Sequence, residues 1–164
     1  MANTVYRGSD GTISVAVEPG LEGDKAKAVN EAYSLTPVGR VTGVTIRMTN
    51  DVQPFHELGQ RFATELRPGN VNVYGSIDRA YINGALLKLM LGDAANSRPA
   101  GTFVSPSFNL TVRLENPSLP GTTSTISVMG VKLEEWFYSL PEDDFAMEKI
   151  NFRALWVKVE DASA

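Results

Sequence analysis

Hydrophobic and polar residues alternate along several segments of this chain, which is the pattern of half-buried β-strands. Residues 41–49 show it most clearly, because the apolar positions share one face and the polar positions share the other. The two sets are Val44, Ile46 and Met48 against Thr45, Arg47 and Thr49. Similar patterns predict strands over residues 12–17, 107–114, 125–139 and 145–159, with an acidic turn at 141–144 between the last two.

The centre of the chain predicts a hairpin. Pro68 and Gly69 are strong turn residues, and they separate two strand-like segments, 62–66 and 70–82. In the second segment Val71, Val73 and Ile77 are predicted to face the core, which places Asn72, Ser76 and Asp78 on the opposite face. Gly75 is predicted to be a bulge or a point of close backbone approach.

Two segments break this β pattern. Residues 52–61 contain Pro54 and Gly59 and predict an irregular connection or a protruding hairpin tip. Residues 85–91 predict a helix, with Asn83 as its N-cap and Gly92 as its end.

Residues 18–37 show no sustained apolar stripe, so they predict a long loop with at most a short helix. The chain is therefore expected to be mainly β with one helix, and its 164 residues suit a single domain, 1–164.

Aromatic residues give two further expectations. Trp136, Phe137 and Tyr138 are consecutive, so they place aromatic rings on both faces of one strand. Core packing accounts for one face, and a subunit interface would account for the other. Phe152 and Trp156 are expected to be core residues of the last strand, since they alternate with polar positions.

Composition narrows the classes of function. The chain has no cysteine, which excludes disulfides, thiol nucleophiles and cysteine-bound zinc. Its net charge is −4 and it has no dense Lys/Arg run, so tight binding of nucleic acid by phosphate neutralisation is not expected. Its beginning has no signal-peptide pattern, and its longest apolar cluster, 85–91, is too short to span a membrane, so no membrane association is expected.

Candidate chemistry is sparse. His56 is the only histidine, and no nucleophile motif accompanies it, so a loop or subunit contact is the expected role. The carboxylates Glu134, Glu135 and those of residues 142–144 do not follow a calcium-loop spacing, and charges at turns are usually solvated. No phosphate-binding glycine motif occurs. We expect no catalytic residue, no metal and no cofactor, and hence no enzyme.

Three stretches carry a family resemblance. Residues 41–46 (VTGVTI), 57–61 (ELGQR) and 69–87 (GNVNVYGSIDRAYINGALL) resemble the strand, loop, hairpin and helix order of bacteriophage tail tube proteins. Residues 130–136 (GVKLEEW) and 148–154 (EKINFRA) are similar to the final strand pair of that family. The resemblance spans about residues 40–160, and it extends to the tubes of type VI secretion and extracellular contractile injection systems.

This resemblance implies a β-sandwich or barrel-like tail-tube fold with one flanking α-helix. It also implies a virion protein of a contractile phage tail, assembled in the host cytoplasm. Six copies would form a ring, and stacked rings would form a hollow tube through which DNA passes without specific binding. The implied partners are the chain itself, the tail sheath, the tape-measure protein and the baseplate.

The strand pattern independently favours self-association, because open sheet edges invite pairing with another chain and a head-to-tail contact of identical subunits closes them into a ring. The expected inter-subunit contacts are Phe55, His56, Leu58, Gln60 and Arg61. The expected lumen-lining residues are Thr45, Arg47, Thr49, Asn72, Ser76 and Asp78, with Arg47 paired to Asp78 or to another acid.

A different class of function remains open from the sequence. A monomeric β-sandwich that binds a carbohydrate or another ligand would use exposed aromatic rings as a stacking platform.

Overall fold

The computed structural model describes residues 5–35 and 37–163, and within them it has nine β-strands and two α-helices. The strands are β1 (Gly11–Ala16), β2 (Val41–Asn50), β3 (Gln53–Phe55), β4 (Glu65–Arg67), β5 (Val71–Ala80), β6 (Phe108–Glu115), β7 (Thr123–Ser139), β8 (Met147–Ala154) and β9 (Trp156–Ala162). The helices are α1 (Leu21–Tyr33) and α2 (Ala85–Leu91). Neither of these helices is long and apolar enough to cross a membrane.

Seven strands form one antiparallel sheet that curls into a half-barrel, in the order β1-β6-β7-β8-β5-β2 with β9 also paired to β7. The long strand β7 serves two parts of it. Residues 123–131 lie between β6 and β9 and form sheet A with β1. Residues 132–139 pair with β8 and form sheet B with β5 and β2. The mainly β, half-barrel fold class is as predicted.

The two sheets meet at a corner within β7, at Gly130. Gly130 has a φ of 66°, a left-handed conformation that favours glycine. The side chain of Leu155 lies over it, so a Cβ at residue 130 would approach the Leu155 Cδ1 to 2.7 Å. The Leu155 N–H donates to the carbonyl of Met129 at 3.0 Å. The predicted strand 145–159 is therefore divided at Leu155 into β8 and β9.

The core lies between the two sheets and under the helices. Its buried side chains come from every layer: Ile13, Val15, Phe108, Leu110 and Val128 from sheet A, Val73, Ile77, Ile150 and Phe152 from sheet B, and Ala26, Val29, Leu86 and Leu89 from the helices. Phe152 is fully buried, as predicted, and Gly75 faces it across the sheet. A Cβ at Gly75 would overlap the Thr45 carbonyl oxygen and come within 2.7 Å of the Phe152 ring, which confirms the predicted close approach.

The prediction for residues 18–37 was wrong, because α1 runs for 13 residues and gives the fold a second helix. Its buried positions are Gly23, Ala26 and Val29. Small residues make a weak hydrophobic stripe in the sequence, yet they allow a helix to pack closely. The predicted helix 85–91 is confirmed, but its N-cap is Gly84 and not the predicted Asn83. The Asn83 side chain accepts a hydrogen bond from the Ala85 N–H at 3.1 Å, one residue further from the helix.

Three further predictions need correction. Val71 of β5, predicted to face the core, is 56% exposed. The segment 62–66 does not pair with β5, because β4 pairs with β3 instead and β5 lies between β2 and β8. Trp156 is 57% exposed and is not a core residue. The break at Leu155 slips the alternation by one position, so Val157 packs towards the core and Trp156 turns away from it.

A buried ion pair ties sheet B to α2. The Arg79 Nε of β5 donates to the Glu148 Oε1 of β8 at 2.7 Å, and both residues are 2% exposed or less. The Arg79 Nη2 donates to the backbone and side-chain oxygens of Asn83 at 3.1 and 3.2 Å, just before α2. The Trp136 Nε1 of β7 donates to the Glu148 Oε2 at 3.0 Å. One hydrogen-bonded network around this ion pair thus connects β5, β7 and β8 with the residue that precedes the N-cap of α2.

We expect Arg79→Met to lower the free energy of unfolding by about 3–5 kcal/mol, because it leaves the Glu148 carboxylate buried without its counter-ion. The double variant Arg79→Met/Glu148→Gln removes both charges and keeps an acceptor for Trp136, so its loss should be much smaller. Urea unfolding of the unassembled protein measures both. Equal losses in the single and double variants would contradict a role for the charge pair.

Candidate functional site

The outer face of sheet B, on the side opposite the core, brings the predicted lumen residues together. The β2–β5 register places Thr45 opposite Ser76, Thr49 opposite Asn72, and Gly43 opposite Asp78. Residues that face each other across two strands point to the same side of a sheet. Since Val73 and Ile77 of β5 are buried, this side faces away from the core. All six predicted residues, including Arg47, therefore share one surface.

Arg47 and Asp78 are not paired, contrary to one of the two expectations for Arg47. Arg47 stands opposite Tyr74, and Asp78 lies four residues further along β5. Four residues of strand span about 13 Å, which is too far for an ion pair. The ion pairs of the described residues include neither side chain.

β8 and β7 extend this surface with residues that the sequence reasoning did not assign to it. The Arg153 Nε donates to the Glu134 Oε2 at 2.8 Å, and its guanidinium lies 6.0 Å from the centre of the Tyr74 ring. The Asn151 Nδ2 donates to the Glu135 Oε2 at 3.1 Å. The alternation of Asn151 and Arg153 with buried Ile150 and Phe152 was the signal that could have found them.

The charges of this surface nearly balance. It carries four cations, Arg47, Lys132, Lys149 and Arg153, and three anions, Asp78, Glu134 and Glu135. At the corner, the Lys132 Nζ lies 2.9 Å from the Glu22 Oε1 of α1. The face is therefore polar and nearly neutral.

Sheet B has two open edges. Within the described part of the chain, β2 pairs only with β5, and residues 132–139 of β7 pair only with β8. In contrast, the edge strand β1 of sheet A is partly covered, because the Val38 N–H donates to the Ile13 carbonyl at 2.9 Å and the Val15 N–H to the Leu35 carbonyl at 3.3 Å.

The three consecutive aromatic residues of β7 divide between the two sides of the strand. Trp136 packs against the core, and its ring stacks on Tyr138 with centroids 5.6 Å apart. Tyr138 also meets Tyr81 edge-on at 4.9 Å. Phe137 is 59% exposed and lies on the open edge strand. The stacked rings support the fold, and Phe137 is the member left for contact with another molecule.

The second candidate surface is an arm formed by residues 51–70, which connects β2 to β5. Its strands β3 and β4 pair only with each other, and every residue from 51 to 70 is exposed. The base is closed by the Asp51 N–H, which donates to the Asn70 carbonyl at 2.9 Å. The predicted protruding hairpin is confirmed.

The predicted inter-subunit residues all lie on the exposed arm, at positions that leave them free of the core: Phe55, His56, Leu58, Gln60 and Arg61. Four large apolar side chains of the arm are more than half exposed: Phe55, Leu58, Phe62 and Leu66. Phe62 and Leu66 are not among the predicted contacts, because the sequence pattern predicts a regular strand over residues 62–66.

The carboxylates singled out in the sequence do not converge. Glu134 and Glu135 are bound to Arg153 and Asn151, and residues 142–144 are exposed in the turn between β7 and β8. Among residues 5–35 and 37–163 no three histidine, aspartate or glutamate side chains come together as a metal-binding group.

The sequence matches no protein-family model and no curated protein. Solved structures do share its fold. One is from the sheath–tube complex of an extracellular contractile injection system, PVC, in its extended state, with a TM-score of 0.62, 15% identity, and 97% of this chain and 93% of the other covered.

A second structure is from the baseplate of the anti-feeding prophage, six-fold symmetrised, with a TM-score of 0.60, 13% identity, and coverage of 98% and 96%. A third is the tail tube of SPP1, with a TM-score of 0.61, 11% identity, and coverage of 98% and 81%. At these identities the likeness concerns the fold. The chain has the fold of tail tube and contractile injection system proteins, as the resemblance in its sequence predicted.

Proposed function

We propose that this protein is a structural subunit of a phage tail tube, and that it works by forming rings that stack into a hollow tube. The observation that carries this proposal is the pair of open edges on sheet B, β2 on one side and residues 132–139 of β7 on the other. Unpaired edge strands promote association with another chain. A head-to-tail contact between the two edges closes them in a ring of identical subunits.

Six copies form the ring, an inference supported by the six-fold symmetry of the structurally similar baseplate assembly. Each copy contributes the four strands of sheet B, so the wall contains about 24 strands. Closed barrels of about 16–18 strands already enclose a water-filled channel, so a wall of this size encloses a wider one.

The outer face of sheet B lines the channel, and DNA passes along it. This face is nearly neutral, and its Arg153 is held by Glu134. A fixed cation that neutralises a phosphate adds affinity, which would slow the passage of DNA. Lumen positions such as Asn72 and Ser76 offer small polar side chains instead.

The arm joins neighbouring subunits, because its exposed apolar residues have no partner surface within their own chain. The sheath and the baseplate are the expected outer partners, as the similar injection-system proteins come from complexes with a sheath and from a baseplate. The tape-measure protein and transient DNA are the expected occupants of the channel. The protein acts in the virion tail after assembly in the host cytoplasm.

Light scattering after size-exclusion chromatography, together with negative-stain microscopy, tests this function. We expect rings or tubes of uniform diameter at high protein concentration, because closing the two edges buries the unpaired backbone groups of β2 and β7. A strictly monomeric protein under all conditions would contradict the proposal and favour the alternative of a monomeric ligand-binding module.

We expect Phe55→Ala and Arg61→Ala to leave the melting temperature of the monomer unchanged but to impair assembly. For Phe55→Ala the concentration needed for assembly should rise about tenfold, because loss of a buried aromatic contact at an interface costs more than about 1 kcal/mol. Sedimentation of assembled material measures it. As a control, Leu21→Ala removes a similarly exposed side chain from α1 and should assemble normally. Normal tubes from both arm variants would refute the role of the arm.

We expect Asn72→Lys/Ser76→Lys to fold and assemble but to slow DNA ejection, because the added lumen cations bind phosphates. Raising the salt concentration should relieve the defect, since exposed charges are screened. The ejection rate of particles carrying the variant measures it at low and high salt. Asn72→Gln/Ser76→Gln is the control that adds bulk without charge. Ejection at the normal rate by the double-lysine particles in low salt would show that this face does not line the channel.

A further inference from the structure

Three of the four cations on the outer face of sheet B lie in one row across its strands. Arg47 of β2 stands opposite Tyr74 of β5, and Tyr74 stands opposite Arg153 of β8. Lys132 of β7 stands opposite Arg153 and completes the row. Residues opposite each other on neighbouring strands point to the same side of a sheet. We call this set the cation row: Arg47, Tyr74, Arg153 and Lys132.

The other rows of this face carry no excess of positive charge. The adjacent row consists of Thr45, Ser76, Asn151 and Glu135. The fourth cation, Lys149, lies four residues from Arg153 along β8, a distance of about 13 Å, and stands opposite Asp78. The positive charge of a nearly neutral face is therefore concentrated at one level of the strands.

The acids near the cation row neutralise it only in part. Glu134 accepts from the Arg153 Nε at 2.8 Å, and the Glu22 Oε1 lies 2.9 Å from the Lys132 Nζ. Arg47 is exposed and takes part in no ion pair of the described residues. Like charges directly opposite each other destabilise a sheet, and Arg153 and Lys132 form such a pair. An anion bound along the row would relieve this repulsion.

The donors of the cation row suit a phosphate group. The side-chain hydrogen bond of Arg153 within the described part of the chain uses Nε, so both terminal nitrogens are left for a ligand. This side chain is 63% exposed. Its guanidinium lies 6.0 Å from the centre of the Tyr74 ring, a cation–π contact that orients it. Arginine binds phosphate oxygens through two parallel N–H donors, so the row offers one such fork on each side of Tyr74.

A DNA backbone fits the cation row better than an acidic protein segment does. Double-stranded DNA carries one negative charge per about 1.7 Å of its axis, so it presents phosphates to the row at every position along its length. A protein segment would also need apolar contacts at the centre of its interface. The adjacent row offers hydroxyl and amide side chains instead, from Thr45, Ser76 and Asn151.

We infer that the cation row is a phosphate-binding site and that it contacts the backbone of DNA in the channel. The identity of this ligand rests on the proposed tube function. The subunits of a ring are related by rotation, so the row recurs at one height in every copy. Each ring thus contacts DNA in one narrow band, and the polar rows beyond the band release it. The band acts as a brake on the passage of DNA.

Binding of a short DNA duplex to the unassembled protein tests the site. Arg47→Thr removes one cation of the row without breaking an ion pair of the described residues. Each phosphate contact contributes about 0.9 to the slope with which the logarithm of the binding constant falls against the logarithm of the salt concentration. We expect Arg47→Thr to weaken binding at low salt and to make this slope shallower by about 0.9. Fluorescence anisotropy of a labelled duplex measures both quantities.

The matched control is Lys149→Thr, which removes an exposed cation from the same face but from another row. Both variants should melt at the wild-type temperature, because both side chains are exposed. A shallower slope for Arg47→Thr alone supports the inference. Equal changes in both variants would mean that the duplex responds to net charge, and would overturn it. A wild-type protein that binds polyglutamate but not the duplex would also overturn it and assign the row to an acidic protein.

The rate of DNA ejection separates this inference from the tube function. Particles carrying Arg47→Thr should eject DNA faster than wild-type particles at low salt, and the difference should vanish at high salt because exposed charges are screened. Lys149→Thr particles should eject at the wild-type rate. Tubes that assemble but eject at a rate independent of Arg47 overturn the brake and leave the tube function intact. A protein that binds the duplex through Arg47 yet never assembles supports the phosphate site and overturns the tube function.

Discussion

The structure depends on one constraint, which is that β7 belongs to two sheets at once. Its first part lies between β6 and β9, and its second part pairs with β8 alone. The change of sheet requires a corner, which Gly130 makes with a left-handed backbone and Leu155 fills with its side chain. Because the corner ends the pairing with β6 at residue 131, the rest of β7 keeps an open edge. The surface available for assembly follows directly from this turn of the chain.

Sheet B must be rigid if its two open edges are to meet the edges of identical copies. Its inner side is held by Phe152, which lies against Gly75, and by the Arg79–Glu148 pair, which also fixes Trp136 and the start of α2. A buried ion pair adds little net stability compared with apolar packing, but it is satisfied in only one arrangement of its partners. In this protein Arg79 and Glu148 stand directly opposite each other in the pairing of β5 with β8, so the observed register brings the two charges together. The buried hydrogen bonds on the inner side of sheet B thus help to hold its two edge strands in fixed positions.

Most strands could be predicted from the sequence, because alternation is a local signal. The faces of β2 and β5 could be predicted too, although Met48 and Val71, at the end of the sheet next to the arm, are exposed. The errors came from interactions that are not local. The buried face of α1 uses Gly23 and Ala26, which are too small to register as an apolar stripe. The pairing of β4 with β3 depends on how the arm folds back, and the exposure of Trp156 depends on the slip at Leu155. The sequence alone suggests that Arg79 is exposed, because its burial depends on the pairing with Glu148.

The outer face of sheet B and the arm differ in the kinds of residues that they require. The outer face of sheet B is regular, polar and nearly neutral, so single changes there alter the chemistry of the proposed channel wall without touching the core. The arm carries its apolar residues on a two-stranded element that has no core of its own. Two isolated strands are marginally stable in water, and docking into a second copy would supply the missing apolar contacts. Assembly would therefore complete the folding of the arm, whereas the half-barrel is already complete in the single chain.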